Sequence, residues 1–224
     1  MRALQWEFPT EAYLANVDNQ FMLGPAVLVT PVLEPLVTQV NGIFPGVEAG
    51  TVWYDAYTLQ PIEVAPRENK TLDAPLDFIN VHLRGGHILP LQLRGYTTTD
   101  SRQNPFKLLI VLDRDGEAHG SLYLDDGYSI EPNATKEVEL QYAHHTLNVS
   151  MRGTFDMPNP LANVTIAGFG LDLPKSVQLC GACGRGSVHI NTFDLEGSML
   201  HITGLEDATA CGVWSSGWSL KIVP

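Results

Sequence analysis

The sequence of 224 residues is poor in positive charge, and it contains no long apolar run. Only 13 Lys and Arg stand against 25 Asp and Glu, which gives a formal net charge of −12. A surface with this balance repels phosphate groups and anionic lipid headgroups. No stretch reaches the roughly 18 consecutive apolar residues that a transmembrane helix requires. We therefore expect neither nucleic acid nor a membrane among the partners of this chain.

Cysteine is also scarce, since the chain has only Cys180, Cys183 and Cys211. An odd number leaves at least one thiol unpaired. Cys180 and Cys183 have the spacing of half a zinc site, but the sequence offers no second ligand pair at matching spacing. The βαβ context of a thioredoxin-like redox motif is missing as well. We expect a structural role, either a local disulfide or buried thiols, and no metal or cofactor.

A secretory leader is the third absence. The opening ten residues, MRALQWEFPT, have no apolar stretch of the kind that a signal peptide carries. Four Asn-x-Ser/Thr acceptors nevertheless exceed what chance would give, and they point to a glycosylated, secreted protein. The candidate glycosylation sites are Asn69, Asn133, Asn148 and Asn163. We expect a secreted parent protein whose natural start lies upstream of Met1, with no signal peptide in this chain.

Glycine and proline are plentiful, and the apolar residues nowhere keep a helical period for more than about two turns. Short β-branched runs recur every 8–12 residues between turn signals, which is typical of antiparallel β-sandwiches. A polar stretch at Gly95–Pro105 separates two such sets. The first set ends with a strand at His87–Leu91. The second begins with Phe106–Leu112, which we expect to pair with Gly120–Leu124 across an Asp-Gly turn.

Two carboxylate pairs and one histidine pair are candidates for chemistry. Asp125 and Asp126 are adjacent, and neighbours at a strand end point to opposite faces, whereas a glycosidase pair must face one substrate. We therefore interpret the Asp-Asp-Gly sequence as a turn. The Asp113-x-Asp115-Gly116 stretch lacks most ligands of a calcium loop and favours a hairpin turn. His144 and His145 are interpreted as an exposed strand end.

Tryptophan offers one further possibility. Sugar-binding sandwiches stack exposed aromatic rings on pyranose rings, and Trp53, Trp214 and Trp218 could serve. In a sandwich such residues more often belong to the core.

Several segments together resemble the C-terminal region of glycoside hydrolase family 31, the α-glucosidases, and especially its fungal secreted members. The resemblance is continuous in order and spacing over residues 1 to about 130 and looser beyond. The segments that carry it are MRALQWEFP at 1–9, QFMLG at 20–24, LVTPV at 28–32, GTVWYD at 50–55, APLDFINVHLRGGHILP at 74–90, TTTDSR at 97–102 and LYLDDG at 122–127.

The resemblance implies three parts: residues 1–25 as the end of a catalytic (β/α)8 barrel, residues 26–100 as the proximal β-sandwich and residues 101–224 as the distal one. The fold class is then all-β, two antiparallel β-sandwiches with a short barrel remnant. Family members hydrolyse terminal non-reducing α-linked glucose with retention, using two Asp residues on barrel strands that lie before Met1. None of the family's catalytic or sugar-binding motifs can be placed on this chain.

We therefore expect the chain to be inactive alone and structural, with the catalytic barrel as its partner and α-glucan or maltooligosaccharide as a further candidate ligand. Two alternatives remain open at this point. One is an independent carbohydrate-binding β-sandwich with a Trp or Tyr platform in the distal part. The other is a processed subunit that pairs with a separate barrel chain.

Overall fold

The computed structural model describes residues 1–170 and 172–224, and its contacts divide the chain into two compact units. The first unit is Met1–Gly85 and the second is Gly86–Pro224. Both are built mainly from short strands, so the all-β prediction is confirmed. Among the described residues, no helix has the length and apolarity to cross a membrane.

The first unit contains one antiparallel sheet in the order β1-β2-β6-β4 and a separate ribbon of β3 with β5. Its elements are α1 (Leu4–Glu7), β1 (Phe21–Leu23), β2 (Val27–Thr30), β3 (Gln39–Ile43), β4 (Trp53–Asp55), β5 (Asn69–Asp73) and β6 (Asn80–Arg84), with 3₁₀ turns at Ala12–Asn16 and Val47–Ala49.

The N-terminal segment belongs to the core of this unit. Its buried side chains pack with Phe44 and Trp53 around a fully buried indole. The Trp53 Nε1 donates to the Pro45 carbonyl at 2.8 Å, which satisfies the one polar group of that ring. The core residues from the N-terminal segment are Leu4, Phe8, Leu14 and Met22. The family resemblance also predicts that Trp6, Phe8, Phe21 and Leu23 pack against barrel elements. For Phe8 this prediction is wrong, because its ring is buried within the first unit.

A buried amide joins the sheet to the ribbon. The Gln20 Nε2 donates to Thr30 Oγ1 at 2.8 Å and to the Ile43 carbonyl at 3.2 Å, and Gln20 Oε1 accepts from the Ile43 amide at 2.7 Å. Because both ends of the amide are satisfied, its burial costs little, and it holds β3 beside β2.

The second unit adds a helix and the remaining strands. They are β7 (His87–Gln92), α2 (Thr98–Gln103), β8 (Phe106–Val111), β9 (Ala118–Leu124), β10 (Lys136–Ala143), β11 (Thr146–Gly153), β12 (Leu161–Ala167), β13 (Ser176–Cys180), β14 (Ser187–Ile190), β15 (Phe193–Glu196), β16 (Met199–Ile202) and β17 (Trp218–Val223), with 3₁₀ turns at Ala182–Gly184 and Asp207–Thr209. The sequence did not predict β1, β5, β15 or α2.

The described residues of this unit form one sheet of eleven strands in the order β14-β13-β17-β11-β10-β9-β7-β8-β12-β16-β15. It is mixed rather than antiparallel, because β8 and β12 run parallel. The prediction that Phe106–Leu112 pairs with Gly120–Leu124 is also wrong. Strand β7 lies between them, in an antiparallel ladder with β8 and in parallel contact with β9 at His87 and His119. Sequence adjacency suggested a hairpin, but a third strand occupies the intervening position.

One core serves the whole of this sheet. In β10 the buried and exposed residues alternate strictly, so one face turns inward along the strand. Val177 of β13 and Leu200 of β16 lie near opposite ends of the strand order, yet they belong to the same buried cluster as Leu140 of β10. The sheet therefore folds over on itself, and a β-sandwich-like arrangement fits.

The polar stretch predicted as the domain boundary is part of the second unit. The Thr97 hydroxyl accepts from the Asp100 amide at 3.1 Å and begins α2 as a helix N-cap. At the other end, the carbonyls of Arg102 and Asn104 accept from the buried amide of Asn159 at 3.0 and 2.9 Å. The contact boundary falls at Gly85 instead.

The exposed loop before β3 generates a first prediction. Leu36 is fully exposed and has φ of 63°, a region that an L-residue with a Cβ enters at a cost of about 1 kcal/mol. We expect Leu36→Gly to be more stable than Leu36→Ala by about that amount. Urea unfolding of both variants measures the difference.

The matched control is the next residue. Val37 does not have positive φ and is also exposed, so Val37→Ala should be more stable than Val37→Gly. The same preference for alanine at both positions would contradict the prediction.

The buried imidazole of His82 generates a second prediction. Burial lowers its pKa to about 4, against the weaker opposing effect of Asp55. The unfolded chain, with a pKa near 6.5, then binds the proton more readily. The contribution of neutral His82 to the free energy of unfolding is therefore fully present above pH 6.5. It decreases as the pH falls toward 4, by up to about 3 kcal/mol.

Denaturant unfolding between pH 7 and 4 tests this. The decrease should be shallower in His82→Gln, whereas the exposed His189→Gln should keep the wild-type slope. Parallel pH profiles for the wild type and His82→Gln would show that His82 does not carry the effect.

Candidate functional site

The four predicted glycosylation sites differ in accessibility. Asn69 in β5, Asn133 before β10 and Asn148 in β11 are exposed. Asn163 is half-buried in β12, which lies between β8 and β16. The hydroxyl of Thr165, in the same acceptor sequence, lies 3.3 Å from His201 Nδ1 on β16. Asn163 is therefore the least exposed of the four acceptor asparagines.

The Asp125-Asp126-Gly127 sequence is a turn, as predicted. Asp125 accepts from the Gly127 amide at 2.8 Å, and Asp126 accepts from the Tyr128 and Ser129 amides at 3.0 Å each. The Ser129 hydroxyl also donates to Asp126 at 2.6 Å. These hydrogen bonds, with that of the hydroxyl foremost, lower the Asp126 pKa to about 2. A carboxylate held ionised by its own turn is suited to structure rather than to proton transfer.

An arginine outside the turn holds it in place. Arg102 of α2 donates to the Asp125 carbonyl at 2.5 Å. Gly127 has φ of 73°, a conformation that favours glycine, and a Cβ there would lie 2.7 Å from the Arg102 guanidinium, which would have to move. The sequence did not single out Arg102 for this contact.

The Asp113 stretch is also a turn, although its flanking strands are not paired with each other. The Asp113 carboxylate accepts from the amides of Asp115 and Glu117 at 3.0 and 2.9 Å. Within the described ranges, no group of three or more His, Cys, Asp or Glu residues could hold a metal ion.

The two histidines form the tight turn between β10 and β11. Ala143 pairs with Thr146, so His144 and His145 are the whole loop, with φ of 48° and 57°. Two-residue hairpin loops with positive φ at both positions usually carry Asn-Gly or Asp-Gly. Both histidines are exposed, as predicted. The His145 ring lies edge-on to the Phe169 ring, with 5.7 Å between the ring centroids.

The hypothesis that tryptophan side chains form an exposed platform for sugar rings is wrong. Trp53, Trp214 and Trp218 are all buried, and each of the last two belongs to the core of the second unit. The Trp214 ring packs edge-on against Phe106 at 5.2 Å. A ring enclosed in the core cannot stack on a sugar, so the alternative of a carbohydrate-binding module with these residues is not supported.

The cysteines form one disulfide, between Cys183 and Cys211, across 28 residues. Cys180 keeps a free thiol, half-buried, near the Ser187 hydroxyl. Cys183 therefore pairs with the distant Cys211 and not with Cys180, its neighbour in the Cys-x-x-Cys sequence. The bond ties the turn after β13 to the segment before β17, which agrees with the expected structural role.

A cleft of about 440 Å³ lies beside α2 in the second unit. Its lining combines Arg102 with the exposed ring of Tyr128 and the carboxylate of Asp156. The amide of Asn159, which also lines it, is already satisfied by the carbonyls at the end of α2. The cleft has a mixed lining, and two of its polar side chains, Arg102 and Asn159, are already bonded to backbone carbonyls.

Comparison with known proteins decides the relationship. The family model described as the Glycosyl hydrolase family 31 C-terminal domain matches residues 1–89. The chain is also 47% identical over 222 residues to an alpha-glucosidase of Aspergillus niger, across 99% of this chain and 22% of that protein. The chain belongs to glycoside hydrolase family 31.

Other members agree with the family assignment. Glucoamylase 1 of Schwanniomyces occidentalis is 44% identical over 220 residues, across 98% of this chain and 22% of that protein. The chain thus spans about a fifth of the length of these curated relatives, 22% in both cases. The predicted family 31 resemblance is confirmed.

Solved family 31 structures share the fold. A glucosidase II alpha subunit superposes with a TM-score of 0.82 at 21% identity, across 98% of this chain and 25% of that chain. A dextranase of Flavobacterium johnsoniae gives a TM-score of 0.69 at 17% identity, across 100% of this chain and 29% of that one. At these identities the likeness establishes the fold alone.

Accessibility generates a third prediction, on glycan occupancy. When the chain is secreted from a eukaryotic host, we expect glycans at Asn69, Asn133 and Asn148 and lower occupancy at Asn163, because its acceptor lies inside the sheet. Enzymatic deglycosylation in ¹⁸O-water followed by peptide mass spectrometry measures each site.

Single Asn→Gln variants at each position serve as controls for site assignment. Occupancy at Asn163 equal to that at Asn148, which is the other acceptor within a strand of the second unit, would contradict the prediction.

Proposed function

We propose that this chain is the non-catalytic C-terminal β region of an α-glucosidase that hydrolyses terminal non-reducing α-linked glucose with retention. The observation that supports it most directly is 47% identity to a protein named alpha-glucosidase over nearly the whole chain. A retaining mechanism needs two carboxylates about 5 Å apart across the substrate. Of the carboxylates that we singled out, Asp113, Asp125 and Asp126 are engaged in turns, and we assign the catalytic pair to the remainder of the enzyme.

The role proposed for this region is to cover one flank of the catalytic barrel. The N-terminal segment buries Leu4 and Phe8 in the first unit while it leaves Trp6 74% exposed. Leu23 of β1 is exposed as well. A segment with apolar side chains on its buried and its exposed faces is suited to lie between two bodies.

The domain assignment follows the same proposal. Residues 1–25 would form the end of the barrel, residues 26–85 the proximal part and residues 86–224 the distal part, with the boundary moved from residue 100 to the contact boundary at Gly85. Because Leu4, Phe8, Leu14 and Met22 pack in the core of the first unit, the remnant would also contribute to the proximal core.

Secretion and glycosylation are part of the proposal. The Cys183–Cys211 disulfide is of a kind that persists in oxidising compartments. Three of the four acceptor asparagines are exposed, as a glycan requires.

The exposed indole of Trp6 allows the role to be tested. In the isolated chain, Trp6→Ser should change the free energy of unfolding by less than about 0.5 kcal/mol, because the ring is on the surface. In the full-length enzyme, the same substitution should lower stability by about 2 kcal/mol or more, because the ring would be buried against the barrel. Thermal and urea unfolding of both forms measure this, and the isolated chain should not hydrolyse a chromogenic α-glucoside.

Tyr96→Ser is the matched control, since Tyr96 is a fully exposed aromatic residue of the second unit. It should be neutral in the isolated chain. Equal, small effects of Trp6→Ser in both forms would reject the covering role, and turnover by the isolated chain would reject the non-catalytic assignment.

A further inference from the structure

Two histidines of the second unit lie side by side where β7 meets β9. His87 and His119 are register partners in the parallel contact of these strands, so both side chains leave the same face of the sheet. Their ring centroids are 5.1 Å apart, and the ring planes are inclined by 40°. No local motif links the two residues, and only the strand order of the sheet brings them together.

The distance between the two rings is the one that a shared metal ion requires. Zn²⁺ binds imidazole nitrogens at about 2.1 Å in a tetrahedral arrangement, which places the centroids of two bound imidazoles about 5 Å apart. His119 is exposed, so its ring can turn a nitrogen toward such an ion while the backbone of β9 stays in place. The pair therefore needs no movement of either strand to act as two ligands of one ion.

The backbone on both sides of the pair is held in position. The His119 amide donates to the Gly86 carbonyl at 3.1 Å. At the next residue the strands approach so closely that a Cβ on Gly120 would lie 2.3 Å from the Ile88 carbonyl oxygen. The two histidines are thus placed together before any ion arrives, which lowers the entropic cost of binding one.

The surroundings of the pair admit a hydrated cation. His119 is exposed, and its register partner on β10, Gln141, is exposed as well, so water can reach the ring from that side. His87 is less accessible, with 8% of its surface exposed. The formal net charge of −12 also favours cations over anions near the surface of the chain.

We propose that His87 and His119 form a binding site for one divalent transition-metal ion of the class of Zn²⁺ and Cu²⁺. Imidazole nitrogen suits both ions, and of the two Cu²⁺ binds such ligands more tightly. The part of the chain that the structure describes has no metal-binding group of three or more His, Cys, Asp or Glu residues, so water fills the remaining coordination positions. With two protein ligands the affinity is modest, and Kd for Zn²⁺ is about 10–100 µM.

The ion would strengthen a narrow joint in the sheet of eleven strands. Among the described residues, His87 and His119 are the one register pair between β7 and β9, whereas β9 and β10 share seven pairs. An ion held by both histidines cross-links the two strands at this pair. Because the two ligands are adjacent only in the folded chain, binding stabilises the folded state.

Titration of the metal-free 224-residue chain with ZnCl₂ and CuCl₂ tests the proposal. Calorimetry should give one equivalent of Zn²⁺ with Kd of about 10–100 µM. In NMR spectra, substoichiometric Cu²⁺ should broaden the imidazole signals of His87 and His119 before that of the exposed His189. Zn²⁺ at tenfold excess over Kd should raise Tm by about 3 °C.

His119→Gln is the decisive variant, because an exposed side chain can be replaced with little effect on folding. It should weaken Zn²⁺ binding about tenfold or more and remove the rise in Tm. His87→Gln should weaken binding to the same extent, with circular dichroism to confirm its fold. The matched control is the double variant His144→Gln with His145→Gln, at the other exposed histidine pair of the unit, which should keep the wild-type affinity within about twofold.

Three results would overturn the inference. One is wild-type affinity in His119→Gln. Another is loss of binding in the His144→Gln, His145→Gln variant, which would place the ion at the turn between β10 and β11. The third is the absence of Zn²⁺ and Cu²⁺ binding with Kd below about 1 mM, which would leave the two rings as a packed pair only. The site rests on no assumption about the activity of the parent enzyme, so these results leave the family assignment and the covering role untouched.

Discussion

The second unit depends on one buried amide, that of Asn159. Asn159 is only 7% exposed, and its side-chain nitrogen donates to the carbonyls of Arg102 and Asn104, while its backbone carbonyl accepts from the Val213 amide at 2.9 Å. Next to it, the Pro160 carbonyl accepts from the Phe106 amide at 2.8 Å, at the start of the parallel pair of β8 and β12. One residue, through its side chain and its backbone, thus joins the end of α2, the beginning of β12 and the segment before β17. An unpaired amide in such a place would be costly, so these segments must meet there together.

The junction at Asn159 also affects the position of residues at the surface. With the end of α2 held, Arg102 of that helix can hold the Asp125 carbonyl, and the aspartates of that turn are then used for structure. The parallel pair sets β12 beside β8, so that the residues after both strands come to the same end of the sheet. The connection after β10 arrives there as well. Sheet topology therefore brings Glu117, His145 and Phe169 together around one cavity from distant parts of the chain.

Sequence reasoning identified the strand-rich class, the exposed histidine pair and the turns at Asp113 and Asp125, because each depends on local periodicity or on turn chemistry. It missed α2, although Thr97 and Asp100 have the spacing of a helix N-cap and its partner amide. It paired β8 with β9 because they follow each other along the chain. Strand partners depend on which edges remain open once the core has formed. Nothing in the sequences of β8 and β9 indicates that β7 lies between them.

The sequence by itself determined the family, the β-rich composition of the fold and the positions of the glycosylation acceptors. These properties follow from the order of the residues, so short motifs and the resemblance of segments to a known family reveal them directly. Only the tertiary structure decided that Cys183 pairs with Cys211 and that three tryptophans lie in the core. It also decided that the Tyr142 hydroxyl is buried with no hydrogen-bond partner among the described residues. Each of these depends on the distance between residues far apart in the chain, and such distances are set by packing and not by any local pattern.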